Sequence, residues 1–189
     1  EVRLPAGVVN YISGSAKTGE AMVTHPKTRF ISFTGSKGVG LHINEQAAKT
    51  RPGQIWIKRV VAEMGGKDAI VVADDADLDA AASGAVSAAF GFQGQKCSAC
   101  SRLIVDEKVH DELMAKVVEL TNKLVQGQPD HASTNVAAVI NKRSFDTTMK
   151  YIAKGIEEGG ELLAGGKGDD SNGFYIEPTV ISNVQPGAT

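Results

Sequence analysis

The sequence predicts an α/β fold, and two observations carry that prediction. Short runs of β-branched and aromatic residues alternate with helix-forming stretches, as where the run at 29–34 precedes a glycine-rich segment and a helical pattern over 41–49. Of all residues, 42% are hydrophobic, only 5% are aromatic and 21 are glycines, so Ala, Val, Ile and Leu supply most of the interior. A chain of 189 residues buries enough surface for one sizeable domain or two small ones.

The remaining elements follow from periodicity and turn residues. Strands are expected over 5–14, 55–62, 69–73 and 103–105, and near 161–164, 174–176 and 178–181. The run at 29–34 is expected to form a buried strand. Helices are expected over 15–23, 41–49 and 78–91, from a cap at Asp106 to Gly127, and from Asn141 to Gly159. The helix over 78–91 consists largely of small side chains and is therefore expected to pack closely at the centre of the fold.

Gly35, Ser36 and Gly40 lie in the turn between the strand at 29–34 and the following helix. A helix N-terminus exposes unpaired N–H groups and partial positive charge, and glycines allow a phosphate to approach the backbone. The order of the glycines matches neither the dinucleotide fingerprint nor a Walker loop. Spacing alone therefore leaves two interpretations open, a phosphate site and a plain turn.

Glu63 comes directly after the strand predicted over 55–62. Parallel α/β sheets place their active sites at the carboxyl ends of the strands, where a carboxylate can act as a base. The alternative is a solvated loop acid, since charged residues are mostly exposed. Asp74, Asp75 and Asp77 are expected to cap the next helix and not to bind metal.

Cys97 lies in a glycine- and glutamine-rich loop over 91–102, between the small-residue helix and a strand. We interpret it as a nucleophile whose thiol must be ionised to react, with Lys96 and nearby helix ends as candidate causes of a lowered pKa. Cys97 and Cys100 also form a C-x-x-C, but a zinc site needs two more ligands and the four histidines show no paired spacing. A thioredoxin-like pair would precede a helix, whereas this one precedes a strand. We therefore expect neither a metal site nor a redox pair here, and we assign Cys100 to packing.

Charge and cysteine usage restrict the class of protein. The net charge of −2, with Lys and Arg scattered, argues against a nucleic-acid or anionic-membrane partner. No apolar run approaches the length of a membrane span, and the first residues show neither an initiator Met nor a signal-peptide pattern. Two cysteines suit a reducing compartment. A cytoplasmic location is therefore expected, and the missing start suggests a piece of a longer protein.

Three motifs in order resemble those of the aldehyde dehydrogenase superfamily. They are Phe33-Thr34-Gly35-Ser36 with Gly40, Glu63-Met64-Gly65-Gly66-Lys67, and Gly94-Gln95-Lys96-Cys97-Ser98-Ala99. The resemblance extends over the whole chain, from Gly7-Val8-Val9-Asn10 to Phe174-Tyr175-Ile176-Glu177-Pro178-Thr179-Val180. Within the family, the stretch at 91–102 most resembles the bacterial enzymes that oxidise glutamate γ-semialdehyde in proline breakdown.

The resemblance implies that Cys97 is the nucleophile and Glu63 the general base of an NAD-dependent oxidation of an aldehyde to a carboxylate, with NADP also possible. The backbone N–H of Cys97 is a candidate donor to the developing oxyanion. Ser98 is implied to help hold a substrate carboxylate, although a loop hydroxyl bonded to its own backbone is the alternative. Gly35, Ser36 and Gly40 are implied to form the phosphate-facing turn, and the parent enzyme to be a homo-oligomer.

The resemblance also predicts the domain organisation. Residues 1–65 correspond to the later, C-terminal part of a Rossmann-type NAD-binding domain, and residues 66–189 to an incomplete α/β catalytic domain that carries the cysteine. Family members are more than twice as long, so we expect the isolated chain to have little or no turnover. Two other hypotheses stay open: a cysteine-dependent thiol hydrolase or acyl transferase, and a non-catalytic scaffold fragment.

Overall fold

The computed structural model describes residues 4–189, and it confirms the predicted α/β class. The chain divides into two compact units between Gly65 and Gly66, the position at which the sequence analysis places its domain boundary. The helices are Ala16–Thr24 (α1), Lys37–Ala48 (α2), Leu78–Phe90 (α3), His110–Asn122 (α4) and Lys142–Glu157 (α5). The strands are Phe30–Gly35 (β1), Arg59–Met64 (β2), Asp68–Val72 (β3), Cys100–Val105 (β4), Glu161–Ala164 (β5), Gly168–Asp169 (β6), Tyr175–Ile176 (β7) and Val180–Ser182 (β8).

The first unit is a β–α–β arrangement with one additional helix. Strands β1 and β2 pair in parallel, and α2 connects them and packs on them, while α1 contacts α2. The buried side chains are Val23 of α1 and Ile43 and Ala47 of α2. Lys58 is also buried, and its ammonium group donates to the carbonyl oxygen of Val23 at 2.7 Å, near the C-terminus of α1. A cation at that end of a helix is favourable, because the last carbonyls carry partial negative charge.

Four sequence expectations for the first unit are wrong. The run at 5–14 forms no strand but an exposed turn and extended chain, because it has no strand to pair with. The run at 29–34 is not fully buried, since Phe30 is 56% exposed. Helix α2 begins at Lys37 instead of 41, because the side chain of Ser36 caps it. Strand β2 begins at Arg59, and the apolar residues before it, such as Ile57, are largely exposed.

The second unit begins with another β–α–β arrangement, in which β3 and β4 pair in parallel and α3 connects them. As predicted, the small side chains of α3 allow close packing, and Ala82 is completely buried. Helix α4 packs against α3 with Leu113, which is also completely buried. The shared core consists of Val72, Ala82, Val86, Leu113 and Val117.

Two helix starts in this unit show how caps decide boundaries. The carboxylate of Asp77 accepts from the N–H groups of Asp79 and Ala80 at 3.1 and 3.0 Å, so it caps α3 as predicted. Asp106, however, does not cap α4. Its carboxylate accepts from the N–H of Lys108, its carbonyl closes a turn with Val109, and the helix begins only after that turn.

The last part of the unit packs around α5, which begins after Asn141 as predicted. Its apolar face contributes Phe145 and Ile152 to a second core cluster with Val139 and Ile176. Strands β5 and β8 pair antiparallel, as do β6 and β7. The short strand β6 lies in the glycine-rich segment before β7 and is not predicted by the sequence pattern. No helix within residues 4–189 is both long and apolar enough to cross a membrane.

Candidate active site

In the first unit, the start of α2 offers unpaired backbone donors. Ser36 is the N-cap residue, and its hydroxyl accepts from the N–H of Val39 at 3.5 Å while its carbonyl accepts from Gly40 at 3.0 Å. The N–H groups of Lys37 and Gly38 have no acceptor among residues 4–189. Because the first N–H groups of a helix point outward and carry partial positive charge, this end of α2 suits an anion.

The glycines of this segment have different surroundings. Gly38 is exposed, and a Cβ on it would meet nothing within 4 Å, so the backbone is accessible there. Gly40 is buried, and a Cβ would lie 2.8 Å from the sulfur of Met64. Gly40 therefore allows α2 to pack closely on β2. Gly35 ends β1 and connects the strand directly to the capping serine.

Glu63 is the penultimate residue of β2, so it lies within the strand and not after it, and it pairs with Thr34 of β1 in the parallel register. The carboxyl ends of β1 and β2 meet at one edge of the sheet, so the first unit brings Glu63 to the same edge as Gly35 and Ser36. The Glu63 side chain is exposed and makes no hydrogen bond or ion pair with any described residue. Its carboxylate is therefore available to a substrate or to water.

In the second unit, Cys97 and Ser98 occupy the centre of a tight turn. The turn is closed by the N–H of Ala99, which donates to the carbonyl of Lys96 at 3.2 Å. Both central residues are exposed. Within residues 4–189, neither the backbone N–H of Cys97 nor the hydroxyl of Ser98 has a hydrogen-bond partner. The turn thus presents a thiol, a backbone donor and a hydroxyl together.

The start of β3 supports this turn from one side. A Cβ on Gly66 would lie 2.6 Å from the carbonyl oxygen of Cys97, so only glycine fits without displacing the turn. The guanidinium of Arg102 donates to the carbonyl of Lys67 at 2.6 Å. Gly66 stands in the motif at 63–67, but the sequence indicates no role for it, because the contact joins segments that are distant along the chain.

The side chain of Lys96 reaches the C-terminal end of α3. Its ammonium nitrogen lies 3.3 Å from the position of a Cβ built on Gly91, the C-cap residue of α3. A cation there is favourable because the helix C-terminus carries partial negative charge. The structure therefore gives the Lys96 ammonium an electrostatic partner at the end of α3.

Cys97 and Cys100 are both free thiols. Cys100 begins β4 and is half-buried, with its thiol donating to the carbonyl of Arg102 at 3.4 Å. This environment agrees with a packing role for Cys100. Among the residues that the structure describes, no three His, Cys, Asp or Glu side chains are grouped as metal ligands require.

Comparisons with known proteins give the relationship of the chain. The sequence model of the aldehyde dehydrogenase family matches residues 1–189. A 1-pyrroline-5-carboxylate dehydrogenase of Geobacillus kaustophilus (strain HTA426) is 56% identical over 189 residues, which are 100% of this chain and 36% of that protein. The chain thus spans 36% of the length of the curated relatives it matches.

Two solved structures have the same fold over nearly the whole chain. A 1-pyrroline-5-carboxylate dehydrogenase from Thermus with bound NAD superimposes with a TM-score of 0.91 at 43% identity, covering 98% of this chain and 36% of that one. A mutant of aldehyde dehydrogenase C from Pseudomonas syringae, in complex with NAD⁺ and octanal, superimposes with a TM-score of 0.89 at 36% identity, covering 98% and 38% of the two chains.

Proposed function

This chain belongs to the aldehyde dehydrogenase family, and we propose that the whole protein oxidises an aldehyde to a carboxylate with NAD as the hydride acceptor. The observation that carries the proposal is the exposed Cys97 at the centre of a tight turn, beside its own unpaired N–H. A nucleophile must be accessible to its substrate, and a hydrogen-bond donor close to it stabilises the negative charge that develops on the oxygen of the attacked carbonyl group.

Cys97 carries the substrate through both halves of the reaction. Its thiolate adds to the aldehyde carbon and forms a thiohemiacetal, while the backbone N–H of Cys97 donates to the oxyanion. Loss of hydride from that carbon leaves a thioester on the sulfur. Bound NAD supplies the hydride acceptor.

Glu63 acts in the second half. Its exposed carboxylate, which has no partner among residues 4–189, takes a proton from the water that attacks the thioester carbonyl. The carboxylate product then leaves and the thiol is regenerated. General base catalysis of this kind contributes typically about 10²- to 10⁴-fold in rate.

The start of α2 fits the dinucleotide. The free N–H groups of Lys37 and Gly38 and the exposed backbone at Gly38 are suited to a pyrophosphate group. In this proposal Gly35 and Ser36 shape the phosphate-facing turn, and Gly40 holds α2 against β2 so that the turn keeps its position. The bound NAD of the Thermus relative supports NAD over NADP.

For the substrate we propose glutamate γ-semialdehyde, an aldehyde with a carboxylate at its far end. The support is the name of the relatives at 52–57% identity, all 1-pyrroline-5-carboxylate dehydrogenases. The free hydroxyl of Ser98 is suited to donate to that carboxylate. A homo-oligomeric whole protein and a cytoplasmic location remain part of the same proposal.

Because the chain spans 36% of its curated relatives, we propose that the 189 residues alone have little or no turnover. The first test is the intact mass of the protein, measured beside NAD reduction with glutamate γ-semialdehyde. Turnover by a polypeptide of 189 residues at the rate of a full-length enzyme would contradict this part. Ester cleavage without NAD reduction would instead favour a thiol hydrolase or acyl transferase.

Substitutions in the whole protein separate the two halves of the reaction. Cys97→Ala should abolish NAD reduction, whereas Cys100→Ala, which removes the other thiol, should retain it. Glu63→Gln should still reduce about one NAD per active site and then stop, because the thioester is no longer hydrolysed. Mass spectrometry should find the acyl group on Cys97. Sustained turnover of Glu63→Gln at the wild-type rate would refute the role of Glu63.

A further inference from the structure

The chain reaches Cys97 through an unusual left-handed segment. Phe92 (φ 57°, ψ 35°) and Gln93 (φ 55°, ψ 29°) both have positive φ, and Gly94 (φ 67°) continues the conformation. For non-glycine residues this conformation is unfavourable, because the Cβ atom approaches the following carbonyl oxygen. Burial does not explain it, because Phe92 is 71% exposed. Strain of this kind persists only where surrounding contacts hold it.

Two glutamine side chains hold the segment to 137–140. With its amide oriented to satisfy both ends, Gln93 accepts from the N–H of Ala137 at 2.8 Å and donates to the carbonyl of Phe92 at 3.2 Å. The side-chain oxygen of Gln95 accepts from the N–H of Ile140 at 3.0 Å. The backbone N–H of Gln95 also donates to the Phe92 carbonyl at 3.0 Å, so the left-handed segment is closed on itself.

The anchoring segment is itself fixed. Val139 is buried in the second core cluster, and its N–H donates to the carbonyl of Phe174 at 2.8 Å. Val136 is buried as well and donates to the carbonyl of Val125 at 3.2 Å. A hydrogen bond to Ile140 therefore connects the loop to a packed part of the unit.

We propose that Gln95 is a positioning residue for Cys97. Its bond to Ile140 fixes the peptide that enters the Lys96–Ala99 turn, and the turn sets the direction of the Cys97 thiol and N–H. The effect of Gln95 on catalysis rests on the proposed function, whereas its effect on the position of the Lys96–Ala99 turn does not. Gln95 itself touches neither substrate nor cofactor in this proposal.

The structural arm of the test uses amide hydrogen exchange in the 189-residue chain. Gln95→Ala should accelerate exchange of the Ile140 and Ala99 N–H groups by about 2- to 10-fold, the range expected for one lost hydrogen bond. Gln95→Glu keeps an oxygen acceptor and should exchange like the unsubstituted chain. Gln128→Ala is the matched control, because Gln128 is exposed and its side chain has no hydrogen bond to a described residue.

The catalytic arm uses the whole protein. Gln95→Ala should lower kcat by about 10-fold, since small misplacements of a nucleophile are costly, and leave the KM for NAD unchanged. Gln95→Glu should recover kcat. Exchange and kcat in Gln95→Ala equal to those of Gln128→Ala would overturn the inference. Absence of aldehyde oxidation by the unsubstituted protein would count against the proposed function alone, because the exchange arm needs no activity.

Discussion

Replacing Gly66 with alanine tests how tightly the Cys97 turn is held against the start of β3. The new methyl group would lie 2.6 Å from the Cys97 carbonyl oxygen, and ordinary contact begins at 3.4 Å. The neighbouring atom belongs to the backbone, so rotation of a side chain cannot relieve the clash. We expect the Cys97 peptide to move by about 0.8 Å, the difference between the two distances.

Two effects of known size follow from that displacement. Forcing an additional methyl group into a packed site destabilises a protein by about 1–3 kcal/mol. A displacement of about 1 Å at a catalytic group can cost about 10²-fold in rate. Gly66→Ala should therefore lower the free energy of unfolding of the 189-residue chain by about 1–3 kcal/mol and the kcat of the whole protein by about 10- to 100-fold.

Gly65→Ala is the matched control. A Cβ on Gly65 meets nothing within 4 Å, and neither glycine requires positive φ. Both substitutions reduce the entropy of the unfolded chain by the same amount, worth about 0.4–1 kcal/mol. The difference between the two variants therefore measures the contact with Cys97.

The assay combines urea unfolding followed by circular dichroism with the rate at which iodoacetamide alkylates Cys97, in a Cys100→Ser background. Gly66→Ala should differ from Gly65→Ala in both quantities, because its turn has moved. Equal stability, equal alkylation and equal kcat for the two variants would refute the contact and with it the packing of β3 against the turn.

Three further predictions concern the second unit. Asp77→Ala should destabilise the chain by about 0.5–2 kcal/mol in urea unfolding, because it removes the cap of α3, whereas the exposed Asp75→Ala should not. Leu113→Ala should cost about 2–5 kcal/mol, since the side chain is completely buried; a loss below 1 kcal/mol would contradict the packing of α4 on α3. The hydroxyl and N–H of Thr189, with Lys154, lower the pKa of Glu158 from 4.5 to about 2. Because the pKa of Glu158 is lower in the folded chain, its bonds to Thr189 and Lys154 stabilise the fold above pH 4.5, and this contribution is lost as the pH falls towards 2. Thr189→Ala should raise the midpoint of Glu158 in an NMR titration.

Local sequence determined those elements whose ends are set by neighbouring residues. Helix α3 begins at the cap from Asp77, and α5 begins at the cap from Asn141, whose side chain accepts from the N–H of Ser144 at 2.9 Å. Both were predictable because a cap and its donors lie within one turn of the chain. The exposed loop with Cys97 was predictable in the same way, from glycines between a helical and a strand pattern.

Elements that depend on a partner were not predictable. The residues at 5–14 have strand composition but find no strand to pair with, and Val9 is 75% exposed. The start of α2 is a different case, because its cap at Ser36 is local, but Gly38 and Gly40 favour a turn in the sequence and the helix is therefore predicted too late. The short strand β6 exists only because β7 pairs with it.

For the candidate site, the sequence alone predicted Cys97, Ser98 and Glu63, because these residues stand in motifs that resemble those of the family. Only the tertiary structure decided what holds them. The contact of Gly66 with the Cys97 carbonyl and the bond between Gln95 and Ile140 join segments far apart along the chain. Such contacts form only when distant segments of the second unit pack together, and no local pattern of residues encodes them.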